Sequence, residues 1–113
     1  MAKARQAALA IRPTTRGTRG AHHSVYVILL HDERRQDAWG LYVGQTSLDP
    51  DVRFDQHKSH YKASGAARRF GIRLLPDLYT HLNPMRAWEA LEVEAGLAVE
   101  FARAGVPWVE GGH

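Results

Sequence analysis

At 113 residues the chain is long enough for one domain with one core and too short for two. A hydrophobic fraction of 44%, only five prolines and no cysteine describe a folded globule without disulfides or a thiolate zinc site. The formal net charge is +3, and no apolar run approaches the roughly 20 residues needed to span a bilayer, so the expected setting is cytoplasmic, away from any membrane.

Residues 1–22 read as a flexible basic arm preceding a domain at 23–113. Lys3, Arg5, Arg12, Arg16 and Arg19 occur there with no acid before Gly20, among turn-forming prolines and glycines. Gln6 to Ile11 has the composition for a helical turn. Ser24 to His31 predicts a strand whose two faces, Val25/Val27/Leu29 and Tyr26/Ile28/Leu30, are both apolar, so it should be covered on both sides. A polar connection leads to a second strand, Trp39 to Gln45, giving an antiparallel hairpin. Asp49-Pro50 pairs a capping acid with a first-turn proline and opens a helix expected to reach about Tyr61. Ser64-Gly65 breaks the chain before a short helix ending near Phe70-Gly71. Ile72 to Tyr79 predicts a third strand, at an edge because Pro76 lacks an amide donor. Asn83-Pro84 is expected to open the last helix and Gly105 to close it, leaving Val106 to His113 as a tail. The predicted fold is α/β: a three-stranded antiparallel sheet flanked by helices in the order β-β-α-(α)-β-α.

The last helix holds a carboxylate where an apolar residue is expected. With roughly 100° per residue and Glu94 at zero, Ala87, Ala90, Leu91, Leu97, Ala98 and Phe101 fall within about 60° of it. Glu89, Glu92, Glu100 and Arg103 lie beyond about 120°, on the side expected to face solvent. Glu94 therefore sits in the core-facing stripe, where an ionised carboxylate needs a cation. A buried Glu–Arg pair and a metal ion both answer that need.

On the helix after the second strand, Arg53 and His57 are four residues apart and share a face. Arginine matches phosphate oxygens with a planar fork that never deprotonates. Tyr26 or Tyr42 could handle the proton of an attacking water, but a phenol with an ordinary pKa of about 10 needs a neighbour to lower it. Each of these residues alone is more often a packing or surface residue. A zinc site from His22, His23, His57 and His60 is a further alternative, weakened by the absence of cysteine.

Taken in order, Ser24-Val25-Tyr26, then Tyr42-Val43-Gly44 followed by Gln45, then Arg53-x-x-x-His57, then Glu89-Ala90-Leu91-x-x-Glu94-x-x-Leu97, the chain resembles the GIY-YIG nucleases from about Ser24 to Val109. Serine stands where the first motif has glycine. The resemblance implies a Mg²⁺- or Mn²⁺-dependent endonuclease with Tyr26, Tyr42, Arg53, His57 and Glu94 as catalytic residues and Glu94 as the metal ligand. It implies products with 5′-phosphate and 3′-hydroxyl ends. Gly44, Gln45, the cluster Arg68, Arg69 and Arg73, and Arg12, Arg16 and Arg19 of the arm are the expected nucleic-acid contacts, since neutralised phosphates release counterions. DNA is favoured over RNA, and a partner protein could supply specificity because no separate reading domain is visible. The rival reading is a non-catalytic nucleic-acid-binding or protein-interaction module on the same fold.

Overall fold

The computed structural model describes residues 2–59 and 65–112. The β-branched and aromatic run Ser24–His31 forms β1, and Trp39–Thr46 forms β2 antiparallel to it. Their register pairs Tyr26 with Gly44, Ile28 with Tyr42 and His31 with Trp39. Both faces of β1 are buried, as its two-sided apolar pattern demands.

Ala2–Leu9 forms α1, ahead of the sheet. The helix expected after Asp49 is α2, Pro50–Lys58, capped by the Asp49 carboxylate, which accepts from the Asp51 amide at 2.9 Å. Its expected extension to Tyr61 lies outside the described residues. Gly65–Phe70 forms α3, and Lys58 Nζ donates to the Arg68 and Gly71 carbonyls at 3.0 and 2.9 Å, satisfying acceptors at its C-terminal end.

Four features correct the sequence-based picture. The third strand, β3, spans only Gly71–Leu74, and Pro76–Leu78 turns as a 3-10 helix instead. β3 does lie at the sheet edge, beside β1. The last helix, α4, begins at Ala87 rather than at Asn83-Pro84, because Met85 and His23 exchange backbone hydrogen bonds of 2.8 and 2.9 Å that hold residue 85 extended. It ends at Arg103, with Gly105 at φ 94° and the bonds Gly105 N–Ala102 O and Val106 N–Phe101 O closing it. That turn sends the tail back along β2, where Val109–Gly111 forms β4 in parallel. The sheet is thus four-stranded and mixed, in the order β3-β1-β2-β4, and not a three-stranded antiparallel one.

The largest departure concerns the arm. Ala4 and Ala8, four residues apart on α1, are buried, and α1 packs against α4 and the 3-10 turn. The following strap is fastened to the start of α4. Thr14 Oγ1 and the Thr15 amide donate to the Glu89 carboxylate at 2.8 and 3.3 Å, and the Arg86 amide donates to Thr15 Oγ1 at 3.0 Å. Arg86 also donates to the Arg19 carbonyl at 2.6 Å. Residues 2–22 therefore belong to the packed domain. Small alanines provide its buried face, a signal too weak to separate from linker composition.

Candidate active site

Tyr26 is the pivot of a cluster drawn from β1, β2, α2 and α4. Its hydroxyl lies 2.8 Å from His57 Nε2, with both side chains almost wholly buried, at 2% and 1% exposure. The Tyr42 ring stands edge-on to His57 with centroids 5.5 Å apart, and 6.2 Å from the Tyr26 ring. Arg53 hydrogen-bonds the Tyr26 hydroxyl, and both Arg53 and Glu94 are close enough to act on its charge. The structure thus brings together all five residues expected to be catalytic. Tyr42 and Arg53 are half-buried, so the cluster opens to solvent on their side.

Local sequence explains the convergence. Antiparallel register sets Tyr26 directly opposite Gly44. A Cβ at position 44 would fall inside van der Waals contact of the Tyr26 ring end and hydroxyl, so glycine is what admits that ring. The four-residue step from Arg53 to His57 then presents both to the same strand ends. Asn83, expected to open the last helix, instead fixes the residue before Tyr26. Its Oδ1 accepts from the Val25 amide and its Nδ2 donates to the Val25 carbonyl, each at 2.8 Å. The available signal was a lone asparagine in the chain, placed immediately before a proline.

Glu94 is buried, at 5% exposure, as expected. Its place in the helix is different from the centre of the apolar stripe. The buried residues Glu89, Val93, Ala90, Leu97, Phe101 and Glu94 span an arc from about −140° to zero, with Glu94 at its margin. Leu91, expected inside, is half exposed. The arc is displaced because the strap covers the Glu89 side, which explains why Glu89 is buried and hydrogen-bonded rather than solvent-facing. Glu92 is exposed.

The electrostatics revise one expectation. Burial, reinforced by Tyr42 and Glu94, pushes the Tyr26 phenol well above its ordinary pKa, and the opposing pull of Arg53 does not reverse this. Tyr26 is a protonated phenol at neutral pH, not a phenolate in waiting. His57 moves the other way: burial, then the neighbouring Arg53 charge, lowers its pKa to about 4. It is a neutral imidazole at pH 7, able to accept the Tyr26 proton at Nε2 in the Nδ1–H tautomer.

The expected nucleic-acid contacts separate. Gly44 is buried beneath Tyr26, so its contribution is space rather than contact. Gln45 pairs with Val25 and therefore points to the sheet face opposite Tyr26. Arg12, Arg16 and Arg19 are exposed on the strap, Arg68 and Arg69 on α3, and Arg73 on the edge strand. Among the described residues no group of three or more His, Cys, Asp or Glu side chains could hold a metal ion, which leaves the histidine zinc alternative without support there. His60 lies outside the described residues.

Comparison with known proteins adds no relative: no family model, no curated protein and no solved structure matches the chain.

Proposed function

We propose that this protein is a divalent-metal-dependent endonuclease of the GIY-YIG type, hydrolysing phosphodiesters of nucleic acid, with DNA preferred to RNA. The observation that carries the reading is the Tyr26–His57 hydrogen bond of 2.8 Å within a buried cluster that also contains Tyr42, Arg53 and Glu94. Residues 68 positions apart along the chain, from Tyr26 to Glu94, supply complementary parts of one reaction.

Phosphodiester hydrolysis needs the phosphate charge neutralised, a proton taken from water, and a proton or positive charge for the departing oxygen. The Arg53 fork suits the non-bridging phosphate oxygens. As water attacks phosphorus, its proton passes to the Tyr26 oxygen while the Tyr26 proton passes to His57 Nε2. The phenol ends as a phenol, so no phenolate forms in the buried site and its raised pKa is no obstacle. The bond to the 3′ oxygen breaks, that oxygen takes a proton from solvent water, and His57 returns its proton to the hydroxide so formed, leaving 5′-phosphate and 3′-hydroxyl ends. Tyr42, packed edge-on against His57, holds the imidazole in line.

Glu94 offers a hard oxygen donor of the kind Mg²⁺ and Mn²⁺ prefer, and these ions need few protein ligands because they retain water. Bound there, such an ion would supply positive charge against the scissile phosphate and the departing oxygen. A partner protein that supplies specificity belongs to the same proposal.

The test is a cleavage assay on single-stranded, duplex and branched DNA and on RNA, with Mg²⁺, Mn²⁺ or EDTA, followed by mapping of the product ends. Metal-dependent products with 5′-phosphates are expected. Binding without cleavage under every metal condition would favour the rival, a non-catalytic module on this fold.

A further inference from the structure

The outer face of α4 carries an apolar stripe that the cleavage chemistry does not use. Trp88, Leu91, Ala95, Val99 and Ala102 follow one another at steps of 3, 4, 4 and 3 residues and lie between about 60° and 140° from Glu94. Trp88, Leu91 and Val99 are each about half exposed, and Ala102 is exposed as well. Trp88, Ala95 and Val99 also line an open groove bounded on its other side by Ile11 and Pro13 of the strap.

We propose that this stripe is a self-association surface on which α4 of a second copy docks antiparallel, about a twofold axis through Ala95. The spacing reads the same from either end, so that twofold sets Trp88 on Ala102, Leu91 on Val99 and Ala95 on itself. The largest side chain meets a small one, two middle-sized ones meet each other, and alanine at the axis lets the helices close. Such self-complementarity is what an isologous interface requires, and steps of 3 and 4 are those of helix–helix seams. Charge agrees with the direction. Antiparallel packing keeps Arg103, which pairs with Glu100 of its own helix at 3.2 Å, away from the Arg103 of the second copy, and the two helix dipoles oppose each other.

The stripe exposes on the order of 300 Å² of apolar surface per copy, the size at which patches on monomers tend to be functional. Two copies together remain below the standard interface size, so the dimer is weak and reversible. Self-association of this kind needs nothing from the cleavage reaction.

Sedimentation velocity from about 1 to 500 µM, the range in which weak dimers form, should show a concentration-dependent shift from monomer to dimer. Leu91→Glu and Val99→Glu should abolish the shift without lowering the melting temperature, because both positions are half exposed. The chain has no cysteine, so Ala95→Cys yields a protein with a single thiol. Under mild oxidation it should crosslink to itself readily, and Ala102→Cys, facing Trp88 of the second copy, should not. The proposal fails if the protein stays monomeric at every concentration, which would leave the stripe to another partner. It fails equally if the glutamate variants still dimerise, or if Ala102→Cys crosslinks as fast as Ala95→Cys. The two cysteine variants decide the matter should the glutamate variants fail to fold.

Discussion

Gly44→Ala tests the link between strand register and the candidate chemistry. The added Cβ would overlap the Tyr26 ring end and hydroxyl, and its separation from Cε1 would be 2.9 Å. Tyr26 is buried on all sides, so its ring can yield only by straining neighbours or by leaving His57. Overpacking of this kind costs about 1–3 kcal/mol. Losing the bond between two buried polar groups adds a cost of similar size. A net destabilisation of about 2–4 kcal/mol follows, or a drop in melting temperature of about 10 °C or more. Cleavage should fall by about 10²-fold or more, because the proton path from Tyr26 to His57 is displaced. Thermal unfolding by circular dichroism and single-turnover cleavage measure the two effects. Tyr26→Phe is the companion variant, since it removes the hydroxyl without adding volume and should lose activity with a smaller loss of stability. A Gly44→Ala protein with normal melting and normal turnover would refute the reasoning, including the role assigned to Gly44 as the opening for Tyr26.

Arg53→Lys should remain severely impaired in cleavage, because a point charge does not reproduce a planar fork on phosphate; recovery of most activity over Arg53→Ala would reduce Arg53 to background charge. His57 is held neutral in the folded protein, with a pKa of about 4 against 6.5 when unfolded, so the unfolded chain binds more protons between those values. Stability should therefore be fully present above pH 6.5 and decline by up to about 3 kcal/mol as pH falls to 4, and His57→Phe should remove that dependence in denaturant titrations. Deleting residues 2–22 should lower the melting temperature by many degrees, because it exposes the surface under Ala4 and Ala8 and strips Glu89 of Thr14 and Thr15. Replacing Arg12, Arg16 and Arg19 together by alanine should leave melting unchanged but flatten the salt dependence of DNA binding, by about 0.9 in slope for each phosphate that is no longer neutralised; an unaltered slope would show that the strap does not touch DNA.

How much was legible in the sequence can be judged residue by residue. β1 and the Asp49-Pro50 helix start could be read directly, because alternation, capping and proline chemistry are local signals. The burial of Glu94 was also legible, since helical periodicity places it among apolar residues. Glu89 was not, because what buries it is Thr14 and Thr15, 75 and 74 residues away. β4 was invisible for a similar reason. Val109-Glu110-Gly111 has no alternating pattern, and its strand character arises only when Gly105 turns the chain back against β2. The direction of the Tyr26 pKa shift needed the structure as well. A phenolate would need a neighbour to lower the phenol's pKa, and Arg53 does stand beside Tyr26, but the surrounding burial outweighs its positive charge. Asn83 shows the limit from the other side: its two bonds to Val25 order the start of β1, and no motif spacing marks them.

The central claim is that Glu94 anchors metal-dependent hydrolysis beside the Tyr26–His57 pair. Single-turnover cleavage by wild type, Glu94→Gln and Glu92→Gln, each with Mg²⁺ and with parallel measurement of DNA binding, tests it most directly. Glu94→Gln should retain binding and lose cleavage by about 10²-fold or more, since charge stabilisation at the reacting phosphate contributes several kcal/mol. Glu92→Gln, altered on the exposed face, should cleave like wild type. Near-normal turnover by Glu94→Gln, or an equal loss in Glu92→Gln, would contradict the assignment.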